Sequence, residues 1–131
     1  MTTANDDSLI EIASPFGFEA TLARVAEAIE AANLTIFARI DHAANAQGAG
    51  LAMPPATLLI YGAAKGGTPV MLAAPRSALD LPLRVLVRET DTGAVVAYHP
   101  IAPTLLKAGV AENLAHRLDP AQTILAKAIR P

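Results

Sequence analysis

Leu81-Pro82-Leu83-Arg84-Val85-Leu86-Val87-Arg88-Glu89, followed by Asp91-Thr92-Gly93 and then Ala94-Val95-Val96-Ala97-Tyr98, is the stretch that decides the fold. In its first part Leu83, Val85 and Val87 alternate with Arg84, Leu86 and Arg88, which is the two-residue period of a strand. Pro82 is tolerated near a strand's start. Asp91-Thr92-Gly93 is turn chemistry, and the apolar run after it predicts a hairpin. A hairpin makes neighbouring strands antiparallel, so the chain is not a strict alternation of strand and helix.

Upstream, Leu9-Ile10-Glu11-Ile12 reads as a short first strand, and Ser14-Pro15-Phe16-Gly17 as a turn. From Glu19 to Asn33 the pattern is helical. Leu22, Val25, Ala26 and Ile29 form one stripe, and Asn33 suits a left-handed stop. Leu34 to Asp41 alternates, with Leu34, Ile36, Ala38 and Ile40 on one face and Thr35, Phe37, Arg39 and Asp41 on the other. His42 to Gln47 suits a helical turn or two. Pro54-Pro55 delivers the chain into Thr57-Leu58-Leu59-Ile60-Tyr61, a strand expected at the sheet centre or covered on both sides. Gly62 to Gly67 is expected to be a flexible loop. Thr68-Pro69 then opens a helix that runs to Pro75, by cap and first-position preference. Past the hairpin the chain is helical, with Asp119-Pro120 as a second cap-plus-proline start. The expectation is an α+β, single-domain sandwich of about five mixed or antiparallel strands, with helices packed mainly on one face. Residues 1–7 are expected to be a polar tail and residues 8–131 the domain.

Composition agrees with one domain. The chain has 131 residues, of which 53% are hydrophobic, although alanine is the commonest of these. The volume-filling residues suffice for a single core. The formal net charge of -2 argues against a nucleic-acid partner, which selects a basic face. No apolar run approaches the roughly 20 residues of a membrane span, and the polar start is unlike a signal peptide. There are no cysteines, so thiolate chemistry, disulfides and iron–sulfur clusters drop out. A cytoplasmic location is expected.

Four segments together resemble a known family. They are Ile40-Asp41-His42-Ala43-Ala44 with Ala46, Leu58-Leu59-Ile60-Tyr61-Gly62, Gly67-Thr68-Pro69-Val70-Met71, and Ala78-Leu79-Asp80-Leu81-Pro82-Leu83-Arg84. Their order and spacing are similar to domain-of-unknown-function family 302, from about Ser14 to the last helix. The resemblance implies a compact α+β domain, often a dimer, with no established reaction. The chain departs from the family pattern at Ala63-Ala64, where an Asn-Pro pair is common. It departs again at Tyr98-His99-Pro100, where the first two residues are commonly Tyr-Asn.

The candidate ligand-binding residues are Asp41, His42, Gly62, Lys65, Gly67, Thr68 and Asp80. Asp41-His42 at a strand end reads either as a carboxylate-oriented base or ligand, or as a helix cap followed by an ordinary first-turn residue. Gly62 to Thr68 with Lys65 reads as a small-anion cradle or as a tight loop. It is not a Walker A motif, because two glycines separate Lys65 from Thr68. Asp80 between leucines reads as a turn residue or as a partner for Arg84, Arg39 or Lys65. These residues would share a polar crevice at the strand ends of a small homodimeric binding or sensing domain. The alternatives are a metal- or haem-binding protein through His42 and His99, with Asp41 or Asp80 as a further ligand, and an enzyme using His42 and Asp80.

Overall fold

Among the described residues five strands make one sheet in the order β1-β5-β4-β3-β2, and every neighbouring pair is antiparallel. The strands are β1 (Ile10–Ser14), β2 (Thr35–Asp41), β3 (Ala56–Gly62), β4 (Leu83–Thr90) and β5 (Gly93–Tyr98). The helices are α1 (Phe18–Ala31), α2 (His42–Gly48), α3 (Ala64–Ala73), α4 (Ile101–Lys107), α5 (Glu112–Ala115) and α6 (Pro120–Ala128), with a 3-10 turn over Pro75–Leu79. This computed structural model describes residues 9–131. The polar tail expected over residues 1–7 lies outside them.

Register explains the layers. Thr57, Leu59 and Tyr61 pair with Val87, Val85 and Leu83, and Val87 pairs with Val96. These side chains therefore share one face, and all are buried. Val25 and Ile29 of α1, Val70 of α3, Leu105 of α4 and Leu125 of α6 join them in one core. Each such buried aliphatic side chain contributes about 1.5–3 kcal/mol. The opposite face carries Ile40, Leu58, Ile60, Leu86 and Val95, all partly exposed, with Arg84, Arg88 and Glu11 among them. Thus the helices cover one face, as the sequence suggested, and the sheet is wholly antiparallel.

Two expectations fail on local grounds. The alternation from Leu34 to Ile40 does not hold one face, because β2 bulges between Ile36 and Ala38. A bulge adds one residue and reverses the facing of every residue beyond it. Ile36 pairs with Tyr61 and packs on the core, whereas Ala38 and Ile40 oppose Ile60 and Leu58 on the other face. Likewise Gly62 to Gly67 is not a loop throughout. The Ala63 carbonyl accepts from the Gly66 and Gly67 amides at 3.1 and 3.0 Å, so α3 begins at Ala64 and Pro69 lies inside it. Pro69, the sixth residue of the helix, has no amide to bond the Lys65 carbonyl, which costs the helix about 3 kcal/mol or more.

Three contacts fix α6, which matters because α6 borders the site. Arg24 donates to the Ala128 and Arg130 carbonyls at 2.9 and 2.8 Å, with its guanidinium 4.2 Å from the Phe16 ring. The buried Tyr61 hydroxyl donates to the Ala121 carbonyl at 2.9 Å. The buried Gln122 amide ties α6 to the turn after β5.

Candidate functional site

Antiparallel pairing sorts the candidate residues to two ends of the sheet. Asp41 pairs with Thr57, whereas Gly62 pairs with Thr35. Thr57 and Gly62 lie five steps apart along β3, roughly 17 Å at a strand's rise. Leu83 pairs with Tyr61, and Ala97 with Leu86, so Asp80 and His99 fall at the Gly62 end. Asp41 and His42 fall at the other.

Asp41 is an N-cap. Its Oδ1 accepts the Ala44 amide at 2.9 Å, which satisfies one of the free donors of α2. His42 is the first residue of that helix and is exposed. The single crevice expected from Asp41, His42, Gly62 and Asp80 is therefore not assembled. Neither the His42–Asp80 pair nor the His42–His99 pair converges, for the same reason. Among the described residues no group of three or more His, Asp or Glu is placed to hold a metal ion.

Two concavities meet at the Gly62 end, on either side of Pro82 and Leu83, which line both. The first is a cavity of about 240 Å³. Gly62, Gly67 and Thr68 line it, opposite Leu34, Phe37 and Leu118. Among the described residues no charged side chain contributes to its wall. Lys65 is exposed and is not among its lining residues, so the anion-cradle arrangement is absent.

The second is a cleft of about 300 Å³ that contains Asp80. Leu58, Leu86 and Ala97 form an apolar floor on the open sheet face, and Arg84, Tyr98 and His99 supply polar groups. Asp80 and Arg84 form no ion pair with each other. Arg88 instead pairs with Glu11 at 3.4 Å, and His116 Nδ1 hydrogen-bonds Asp119 Oδ2 at 2.8 Å. Burial raises the pKa of the Tyr98 hydroxyl above its ordinary value.

Gln122 is the residue that sequence reasoning passed over. Its Oε1 accepts from the Ile101 amide and its Nε2 donates to the His99 carbonyl, both at 3.0 Å. The clamp holds the segment that carries His99 at the cleft. A signal existed, since Gln122 sits on the same helical stripe as Leu125 and Ile129. A polar amide on an apolar stripe marks a buried hydrogen-bonding role. Asp119, expected to cap α6, makes no cap bond and instead pairs with His116 Nδ1.

The family model described as "Domain of unknown function DUF302" matches residues 10–130. The crystal structure of an uncharacterized conserved protein DUF302 from Bacillus stearothermophilus superposes with a TM-score of 0.79 over 92% of this chain and 94% of that one. At 13% identity it shows a shared fold. Fluoride-specific ion channel FluC 1 of Brucella suis biovar 1 is 36% identical over 95 residues, 72% of this chain but 37% of that relative. FluC 2 of Brucella melitensis biotype 1 is equally similar over 35% of its length. The chain thus spans a minor part of these relatives, and no helix among the described residues is long and apolar enough to cross a membrane.

Proposed function

We propose, from the premise that this chain belongs to the DUF302 family, that it is a small ligand-binding or sensing module. Its site on this reading is the cleft around Asp80, Arg84 and His99. One observation carries it. Opposite charges stand at the edge of an apolar floor, without pairing to each other. That arrangement suits a small polar molecule with an apolar body, held by a few oriented groups. Binding is favoured over acid–base catalysis because the His42–Asp80 pair is not assembled.

On this reading the module works in the cytoplasm as a homodimer. The open sheet face, with Ile40, Leu58, Ile60, Leu86 and Val95, is the contact, so the cleft floor formed by Leu58 and Leu86 lies at the dimer seam; exposed apolar side chains grouped on one face mark an interaction surface. Native mass spectrometry of untagged protein from its own host tests both parts. The expected species has twice the 13.5 kDa protomer mass and carries a small mass that denaturation removes. The Asp80→Asn, Arg84→Gln double variant loses that mass. Wild type free of any adduct would sink the binding reading, and a monomer at micromolar concentration would sink the dimer.

A second reading is favoured by the relatives named as fluoride-specific ion channels. The module would then report fluoride to a transport protein. Sodium fluoride, titrated against sodium chloride, is the probe. Fluoride-specific amide shifts support it, and identical responses to both salts dispose of it.

A further inference from the structure

We propose that the cavity beside α3 binds a small uncharged aromatic molecule of one or two rings. This goes beyond the cleft reading, with which the cavity shares only Pro82 and Leu83. Size sets the first limit. An apolar cavity of about 150 Å³ holds benzene, and drug-sized ligands need about 300 Å³ or more. At about 240 Å³ the cavity falls between them. Its wall sets the charge. Among the described residues Thr68 offers the one side-chain polar group, and an ion placed among Leu34, Leu81 and Leu118 would lose its hydration without a partner. Two residues set the shape. Phe37 is 54% exposed beside the cavity, and Met71 lines it. Aromatic rings and thioethers both favour a ring as partner.

The glycines supply an independent argument. Gly66 and Gly67 both lie in α3, where alanine is much the better helix former. Gly66 has a packing reason, because a Cβ there would stand 3.2 Å from Leu118 Cδ2. Gly67 has none. A Cβ at 67 would make ordinary contacts of 3.8 Å with Met71 Cε and 3.9 Å with Leu81 Cδ1. Both atoms belong to residues lining the cavity, so the added group would occupy ligand space. Glycine at 67 weakens the helix and keeps the cavity open.

Indole is the probe, added to the isotope-labelled full chain and followed by two-dimensional NMR. The expected result is saturable shifts at the Gly62, Gly66 and Gly67 amides and the Met71 methyl, with none from benzoate at the same concentrations. Gly67→Ala should raise the melting temperature and weaken indole binding several-fold. Gly67→Leu should weaken it at least tenfold, and if that variant fails to fold the alanine variant decides. Asp80→Asn should leave indole binding unchanged, which separates this site from the cleft. The proposal is overturned by wild type that shows no saturable shift, by an equal response to benzoate, by shifts centred on Asp80 and His99, or by Gly67→Ala binding as wild type does.

Discussion

Replacing Gln122 with leucine should destabilise the protein by roughly 2–4 kcal/mol. The figure comes from two hydrogen bonds, each 3.0 Å long, made by a side chain that is 6% exposed. Leucine fills similar space but leaves the Ile101 amide, the first of α4, without its acceptor, and removes the Gln122 bond to the His99 carbonyl. The lost bond to the partly buried His99 carbonyl contributes about 1 kcal/mol, and the buried Ile101 amide left unpaired adds about 1–3 kcal/mol. Urea denaturation followed by circular dichroism measures the loss. With a slope of about 2 kcal/mol/M, the midpoint falls by roughly 1–2 M. Gln122→Glu supplies the control. Its carboxylate can accept from Ile101 but can donate to His99 only when protonated. Burial should raise that carboxyl's pKa, so the folded state binds the extra proton and the variant loses stability as pH rises. The leucine deficit should be flat across the same range. A leucine variant within about 0.5 kcal/mol of wild type would refute the clamp. So would a leucine deficit that tracked pH as the glutamate one does.

Three other outcomes are expected. Gly93→Ala should be strongly destabilising, by about 2 kcal/mol or more, because its Cβ would lie 3.0 Å from the Ser14 and Phe16 carbonyl oxygens at a φ of +144°; thermal melts check it. Tyr61 should make stability fall at alkaline pH. Burial, with a smaller effect from Tyr98, raises its pKa above the ordinary 10.0, so the folded state keeps a proton that the unfolded chain releases. Its contribution is complete below about pH 10 and declines above it, and Tyr61→Phe should flatten that decline in denaturation midpoints. Asp41→Ala should cost about 1 kcal/mol through the lost α2 cap, whereas His42→Ala should change neither stability nor ligand mass; a large effect at His42 would restore it to the site.

The parts that sequence revealed were those governed by local periodicity and backbone chemistry. The α1 stripe Leu22, Val25, Ala26 and Ile29 packs as its spacing requires, and Asn33 ends the helix at φ 61°. The β4–β5 hairpin turns at Asp91-Thr92-Gly93 as the turn chemistry predicts. The failures depended on partners. The bulge at Phe37 is set by how β2 meets β3, and alternation in one strand carries no trace of it. The start of α3 hinged on whether Ala63 could act as acceptor for two glycine amides, while Thr68-Pro69 advertised a cap downstream. The site failed for a global reason. Strand ends look alike in sequence, and which ends share a rim depends on strand order and direction. Asp80 and Gly62 came together because β3 and β4 are antiparallel neighbours, and His42 was carried away by the same rule one strand further on.

The irregularity in β2 also governs how this molecule meets others. β2 is an outer strand, with one side of its backbone unmatched by any further strand among the described residues. A regular edge of that kind is a template on which another chain can polymerise. Here the extra residue at Phe37 breaks the spacing of amides and carbonyls partway along, and Arg39 stands exposed just beyond it. Lateral growth of the sheet through β2 is thereby discouraged. Straightening that edge by deleting Phe37 would restore a continuous ladder, and the expected consequence is fibrils.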